Sequence, residues 1–321
     1  MAPFDAGHLT VSDDVHVVVV GGANTDLIGV SDSRLSVRDS NPGRVKVTPG
    51  GVGRNIAENL ARLGVDVQLI TAFGDDADSR QLAEECRQAG IGLDGAIVAE
   101  GVPGARYLAI HDERHDLALG LNDMRAVEHL DAARLGEPAP LELLSSADLV
   151  VLDTNLTTGS LEFAVEHAGG PVLLDPVSAP KSIRAETVLA HLAAIKPNSL
   201  EAAELLGREV RHADDATDAA RTFVSSGVGM AFVTVGATGV AWAGDGASGW
   251  LPAPLVNVAN TNGAGDAFAA GVAYAMLAGV QAREAAMAGS VMAALTLASE
   301  ETVNPALSRD RLLGAMKELW G

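Results

Sequence analysis

Asn260 to Phe268 reads NTNGAGDAF and runs straight into the apolar, alanine-rich stretch FAAGVAYAMLAG. Glycines at 263 and 265 permit a tight turn whose backbone N–H groups converge outward, and a following helix adds the positive end of its dipole. Together these make an anion site. Asp266 stands at its mouth. A carboxylate there is electrostatically unfavourable unless it has a task, such as taking a proton from an attacking hydroxyl. A plain loop followed by an ordinary first-turn acid would look the same, and this stretch alone does not separate the two.

Other polar groups recur just after strand-like apolar runs. Asn24 and Asp26 read as a polar loop after VHVVVV, Asp153 ends ADLVVLD, and 175–181 follows PVLL. Lys196 to Glu201 follows LAAI, and Thr234 to Gly239 follows MAFV. In an open parallel sheet all strand carboxyl ends share one edge, so these segments should line a common crevice with Asn260 to Asp266. A phosphate cradle, an aspartate and lysines in one crevice are the apparatus of phosphoryl transfer, which is mostly positioning and charge neutralisation. There are only four lysines (Lys46, Lys181, Lys196, Lys317) among the 22 basic residues, and three of them fall inside motifs discussed here. No G-x-x-x-x-G-K-[ST] occurs, nor H-R-D or D-F-G, which excludes P-loop enzymes and protein kinases. GGAN at 21–24 lacks the G-x-G-x-x-G spacing of a dinucleotide site, and no helix follows it. His111 and His115 have the spacing of a helical zinc pair, but GARYLAIHDERHDLALGLND reads as a hairpin with its turn at 112–114.

The elements that must position these groups alternate between strand and helix patterns, implying a parallel sheet covered on both faces. In TPGGVGRNIAENLARLGVDVQLI, Gly50, Gly51 and Gly53 precede a helix with Ile56, Leu60 and Leu63 on one side. Gly64 closes the helix, and a strand follows. Asn55 lies in its first turn, a common capping position. The segment after Gly29 is polar and suits exposed strands around a turn at Asn41-Pro42-Gly43. We expect a flexible tail over 1–14, one domain over 15–321, and a β lid from insertions at about 30–49 and 104–121.

Composition bounds the function. The chain has 321 residues, 48% hydrophobic, with mean hydropathy +0.20 and 3% aromatics, so its core must be aliphatic. A net charge of −20 argues against non-specific nucleic-acid binding, which needs a basic footprint. It does not forbid a small anion, because backbone dipoles reverse the field locally. The single cysteine, Cys86, excludes internal disulfides and suits a reducing compartment. No apolar run reaches the ~18 residues of a membrane span. The acidic start MAPFDAGHLTVSDD lacks the apolar centre of a secretion signal, so a cytoplasmic location is expected.

GGVGRNIAENLARLG resembles the N-terminal signature of the ribokinase-like (PfkB) carbohydrate kinases, and NTNGAGDAFAAG resembles their C-terminal signature. KPNSLEAAELLG and VTVGATG lie between them in the family's order, so the resemblance spans nearly the whole chain. Within the family, SNPGRVKVTPGGVGRNIAENLA, the segment Leu121 to Met124, and DPVSAPK are similar to the pseudouridine kinases. The resemblance implies a three-layer α/β/α fold with a mostly parallel central sheet and a small β-sheet lid, using ATP and Mg²⁺. It makes Asp266 the general base for a primary hydroxyl and the amides of Gly263, Ala264 and Gly265 the anion hole. Asn24, Asp26, Thr48, Gly50, Gly51, Gly53 and Asn55 would hold the sugar. Asn198 and Glu201 would lie near the triphosphate and its Mg²⁺, mostly through water. Thr234, Gly236 and Gly239 would line the nucleotide, while Lys181 and Lys196 would neutralise phosphate charge. The implied partners are a small nucleoside, ATP and a second copy of the chain through the lid, with no nucleic acid or membrane. One motif departs from the family: Asn260-Thr261-Asn262 stands where Asp-Thr-Thr is more usual. The Asp often contributes to a monovalent-cation site, so the resemblance implies K⁺ without supplying its carboxylate.

Pseudouridine is a C-glycoside whose base carries a ring N–H where uridine has its glycosidic bond. A pocket separating the two needs an acceptor there. Asn122 and Asp123 are the candidates, with Met124 packing on the ring; Asp123 as a helix cap is the competing reading. Kinases of the ribokinase, adenosine kinase or fructokinase type remain alternatives, as does a binding protein without turnover. The retained Gly-Ala-Gly-Asp set argues against the last.

Overall fold

Four consecutive valines at 17–20 disfavour a helix, where β-branched side chains crowd the preceding turn, and suit a strand buried on both faces. In a computed structural model, which describes residues 9–114 and 116–320, they form most of β1 (His16–Val20). In chain order follow β2 (Asn24–Ser31), β3 (Gly43–Gly50), α1 (Val52–Arg62), β4 (Asp66–Ile70), β5 (Ala72–Gly74), α2 (Ala77–Gln88) and β6 (Ile97–Ala99). Next come β7 (Arg106–His111), β8 (Leu117–Asp123), α3 (Arg125–Glu128), α4 (Ala132–Leu135), α5 (Pro138–Ser146), β9 (Leu149–Asp153) and α6 (Thr158–His167). Then β10 (Val172–Asp175), α7 (Ala179–Ser182), β11 (Ala194–Ile195), α8 (Ser199–Leu206), α9 (Ala213–Ser225) and β12 (Met230–Thr234) lead to the hairpin β13 (Gly239–Gly244) and β14 (Ala247–Pro252). Helices α10 (Ala264–Leu277), α11 (Ala282–Leu297) and α12 (Arg309–Trp320) complete the chain.

The central eight-stranded sheet has the order β14-β13-β12-β11-β10-β9-β1-β4. It is parallel from β12 to β4, and the β13–β14 hairpin adds its antiparallel edge. Successive strand residues face opposite sides, so β1 feeds both cores. Val17 and Val19 pack with Ile56, Leu60, Tyr274, Met287 and Leu312 in one layer. Val18 and Val20 pack with Leu135, Leu144, Leu161 and Phe223 in the other. Leu9 and Val11 are buried in the first layer, so packing begins within the expected tail, of which residues 1–8 lie outside the described residues. His115 lies outside them too, and His111 is at the end of β7. Among the described residues no helix is long and apolar enough to cross a membrane.

The segment Asn24 to Asp26, read as a loop, opens β2 instead. The turn is confined to 21–23, because β2 finds backbone partners on both sides, antiparallel β3 and parallel β7. β8 completes a four-stranded lid sheet of order β3-β2-β7-β8. Its register divides the two faces sharply. Thr48, Asp26, Tyr107 and Asn122 are consecutive cross-strand neighbours in one row. Side chains on the opposite face form the rows Val47-Leu27-Leu108-Leu121 and Val45-Gly29-Ile110-Leu119. One face of the lid carries this polar row beside the row Lys46-Ile28-Ala109-Gly120, and the other face is apolar.

Candidate active site

Gly263 caps α10 with φ 78°, and a Cβ there would come within 2.1 Å of the Thr302 carbonyl oxygen, so the turn requires glycine. No side chain caps this helix start, which leaves its first N–H groups at Ala264 and Gly265 available to an anion. Asn260 braces the approach: its Oδ1 accepts from the Asn262 N–H at 3.0 Å and its Nδ2 donates to the Glu300 carbonyl at 3.2 Å.

Asp266 follows in the first turn. Asn55, from the first turn of α1, donates through Nδ2 to its Oδ2 at 2.6 Å. Burial, with the negative charges of Asp175 and Asp153, outweighs the Asn55 hydrogen bond and the Lys196 charge and pushes Asp266 up to about 7. A carboxylate tuned near neutrality is suited to general-base work. Asn55, expected to hold sugar, thus also holds the candidate base.

Beneath Asp266 lies an ion pair at the carboxyl ends of β10 and β11. Lys196 Nζ is 2.8 Å from Asp175 Oδ2 and donates to the Gly265 carbonyl at 3.4 Å. Burial opposes the Lys196 charge, but Asp175, Glu201 and Asp266 overcome it and hold the ammonium. Asp153, at the end of β9, accepts from the N–H groups of Gly22 and Gly53 at 2.8 Å each, tying the β1–β2 turn to the start of α1. At that junction Gly51 has φ 102°, and a Cβ on it would lie 2.4 Å from the Gly22 carbonyl oxygen. Asp153 and Asp175 were expected at the crevice from their places after apolar runs but were given no role there, and Arg54 was not singled out from sequence. The available signal was an aspartate ending each buried strand, LVVLD and VLLD.

On the lid side, Asn24 donates from Nδ2 to Asp26 Oδ1. Burial raises Asp26 to about 6, against the Asn24 bond and the Arg54 charge. Gly50 is close-packed: a Cβ there would fall 2.4 Å from Asp26 Oδ2. Thr48 Oγ1, across the strand pair from Asp26, is buried and has no hydrogen-bond partner within the protein. Such an atom suits a ligand hydroxyl.

Where the lid meets the main domain, a cavity of about 340 Å³ is lined by Asn122, Asp123, Met124, Arg125, Glu128, Asn155, Lys181 and Arg184. Lys181, expected to neutralise phosphate charge, lines this cavity and donates to Asn155 Oδ1 at 2.7 Å. It is brought there by Pro176 to Ser178, where Val177 holds φ 62°, a strained conformation for a β-branched residue. Asp123 is engaged locally: its Oδ1 accepts from Arg125 Nε at 2.9 Å and from the Arg125 N–H at 3.3 Å, at the start of α3 where the capping alternative put it, and its Oδ2 accepts from Arg125 Nη2 at 2.6 Å. That leaves Asn122 as the freer acceptor.

On the other flank, Asn198 and Glu201 form a capping box for α8. Asn198 Oδ1 accepts from the N–H groups of Leu200 and Glu201, and the two Glu201 oxygens accept from Asn198 Nδ2 and N–H at 2.6 and 2.8 Å. Burial raises Glu201 to about 7. A buried carboxylate with both oxygens engaged does not fit a direct Mg²⁺ ligand. Among the described residues no cluster of His, Cys, Asp or Glu is arranged to hold a metal. Asn198 bridges to Thr234, and the turn after Thr234 uses Gly236 (φ 52°) and Gly239, where a Cβ would be 2.2 Å from the Leu251 carbonyl oxygen. These residues sit together on the side of Lys196 and α8.

The parallel sheet with polar strand ends, the amide-lined helix start and the tuned carboxylate beside it define a phosphotransferase of the α/β class with a hydroxyl acceptor. Residues 14–309 match the model of the pfkB family of carbohydrate kinases, and the chain belongs to that family. It is 35% identical to the pseudouridine kinase of Escherichia coli over 91% of this chain and 94% of that one. It is also 35% identical to the E. coli uncharacterized sugar kinase YeiI, over 94% of this chain and 84% of that one. Among solved structures, Arabidopsis thaliana ribokinase complexed with ribose and ATP superposes with a TM-score of 0.81, covering 99% of both chains at 22% identity. The fold is thus the three-layer ribokinase-like one.

Proposed function

We propose that this chain transfers the γ-phosphoryl group of ATP to the 5′-hydroxyl of pseudouridine, giving pseudouridine 5′-phosphate and ADP. The observation that carries the chemistry is Asp266: a carboxylate pushed up to about 7, gripped by Asn55, beside the uncapped amides that open α10. Asp266 takes the proton of the attacking hydroxyl, while the Gly263–Gly265 amides stabilise charge on the migrating phosphoryl. Asn24, Asp26 and the unpartnered Thr48 hydroxyl position the sugar under the lid. Thr234, Gly236, Gly239 and Lys196 flank the nucleotide, whose Mg²⁺ supplies charge neutralisation when bound. Because the Asn260 side chain is neutral and occupied on both ends, the reading includes no K⁺ requirement through it.

The base choice rests on the cavity of Asn122, Met124, Lys181 and Asn155, and on the similarity to the E. coli pseudouridine kinase. The equal identity to a sugar kinase keeps a second reading in play, a family kinase acting on another sugar or nucleoside. The apolar outer face of the lid, where Val45, Val47, Leu117, Leu119 and Leu121 are exposed, supports a homodimer formed through the lid. The buried free thiol of Cys86 accords with a cytoplasmic setting. An ADP-release assay over pseudouridine, uridine, ribose, adenosine and fructose decides substrate. Pseudouridine should show the highest kcat/KM; a higher value for ribose or fructose would overturn the assignment, and no turnover at all would overturn the kinase.

A further inference from the structure

The first two turns of α1 carry a chain of hydrogen bonds that ends on Asp266. Glu58 Oε2 accepts from Arg54 Nη2 at 2.6 Å, Arg54 Nε donates to Asn55 Oδ1 at 3.2 Å, and Asn55 Nδ2 donates to Asp266 Oδ2 at 2.6 Å. Arg54 is almost wholly sealed from solvent, with its side chain 4% exposed. A buried guanidinium is costly unless it is paired and its donors are used. Glu58 supplies the pairing. Its other oxygen is held separately by Arg62, at 2.9 Å from Nε and 2.6 Å from Nη2.

We propose that Arg54 is a positioning residue for the general base, fixing the amide of Asn55 so that a donor always faces Asp266. A primary amide has one accepting and one donating end, and which end meets a partner depends on what holds the other. Against an ionised Asp266 the donating end would turn inward unaided. Once Asp266 has taken the proton, a free amide could swing and accept from it, stabilising the protonated acid. Arg54 forbids that swing, because its N–H would then face the Asn55 N–H₂ group. The protonated form of the base therefore gains no partner, and the carboxylate keeps one throughout. This inference rests on Asp266 being the base, as proposed above.

The other charges acting on Asp266 are Asp175 and Asp153 at the strand ends, which disfavour its ionisation, and Lys196, which favours it. Variants at 54 leave all three in place. Arg54 also lowers Asp26, so binding and chemistry must be separated by following kcat as well as kcat/KM with pH. In Arg54→Met and Arg54→Lys the acidic limb of kcat should move upward by about 0.5–1 pH unit, with most of the activity regained above pH 9. Lysine keeps the charge opposite Glu58 but lacks the planar fork that reaches both Glu58 and Asn55. It is therefore the deciding variant if methionine compromises folding, and Arg62 still neutralises Glu58 in either. Asn55→Ala should show the same shift, and adding Arg54→Met to it should move the limb no further. A limb that stays put in folded Arg54→Lys, or a loss of activity equal at every pH, overturns the role of Arg54. If Asp266→Asn retains the wild-type rate, the general-base reading itself falls. If Asp266→Asn is inactive while the Arg54 variants keep the wild-type limb, only the positioning role is lost.

Discussion

Lys196 Nζ lies 2.8 Å from Asp175 Oδ2, the two side chains joining adjacent strand ends directly under the first turn of α10. The pair acts on Asp266 in opposite directions, since Asp175 disfavours its ionisation and Lys196 favours it. Lys196→Met should therefore raise the pH at which activity appears, and Asp175→Asn should lower it. Each should also cost about 3–5 kcal/mol of stability, because each leaves a buried charge unpaired. Rate–pH profiles and chemical denaturation of both variants test this. Shifts of the same sign in the two variants would remove the pair from the electrostatics of the site.

Asp266 itself separates activity from stability. In the wild type, kcat/KM should rise with pH through about 7 and fall about tenfold per unit below it, because only the carboxylate can accept a proton. Asp266→Asn should lose about 10²–10⁴-fold in kcat above pH 8, with the gap narrowing below pH 7 as the wild-type base is protonated. Its stability should change the other way. The folded protein binds the Asp266 proton more tightly than the unfolded chain does, so between about 4 and 7 it holds more protons, and stability declines as pH rises through that window. Asparagine has no such titration. The variant should match the wild type near pH 4 and be more stable at pH 8, by on the order of 4 kcal/mol. Equal melting temperatures at pH 8 would show that Asp266 is not under strain.

The lid junction makes a finer distinction. Both Asp123 oxygens are taken by Arg125, whose hydrogen bonds hold the carboxyl well below its usual range. Asp123→Ala should accordingly leave the ratio of kcat/KM for pseudouridine over uridine within about threefold. Asn122→Ala should reduce that ratio by about tenfold or more, since an acceptor for the extra ring N–H is worth about 1–3 kcal/mol. Lys181→Met should impair both nucleosides and spare ribose. The reverse pattern, with Asp123 controlling the ratio, would return the acceptor role to that carboxylate.

The layered fold and the tight glycine turns were legible because their signals are local. Runs such as HVVVV and VLLD specify buried strands, and glycines at 51 and 263 mark places where a side chain would strike the Gly22 or Thr302 carbonyl. What was not legible depends on partners distant in sequence. Asn24 to Asp26 looked like a loop because β7, the partner on one side of β2, lies some eighty residues away in register. Nothing near Lys181 in sequence announces Asn155, the partner that fixes the direction of its ammonium. Asn55 looked like a helix cap or sugar ligand; its bond to Asp266 spans 211 residues. The division of the lid into polar and apolar faces needs the register of four strands at once.

That division carries the last prediction. Period-two alternation puts Thr48, Asp26, Tyr107 and Asn122 on one face of the lid, and the opposite face carries Val45, Val47, Leu119 and Leu121, all more than half exposed. An apolar sheet face of this kind in a chain of net charge −20 is best explained by a matching face on a second copy. Sedimentation velocity should show a dimer for the wild type, and Leu119→Asp together with Val47→Asp should convert it to monomer. Neither side chain lies on the site face. The double variant should therefore keep kcat within a few-fold while KM for the sugar or nucleoside rises, because an unsupported lid orders less readily over its ligand. A monomeric wild type, or a double variant that still dimerises, would dissociate the lid from assembly.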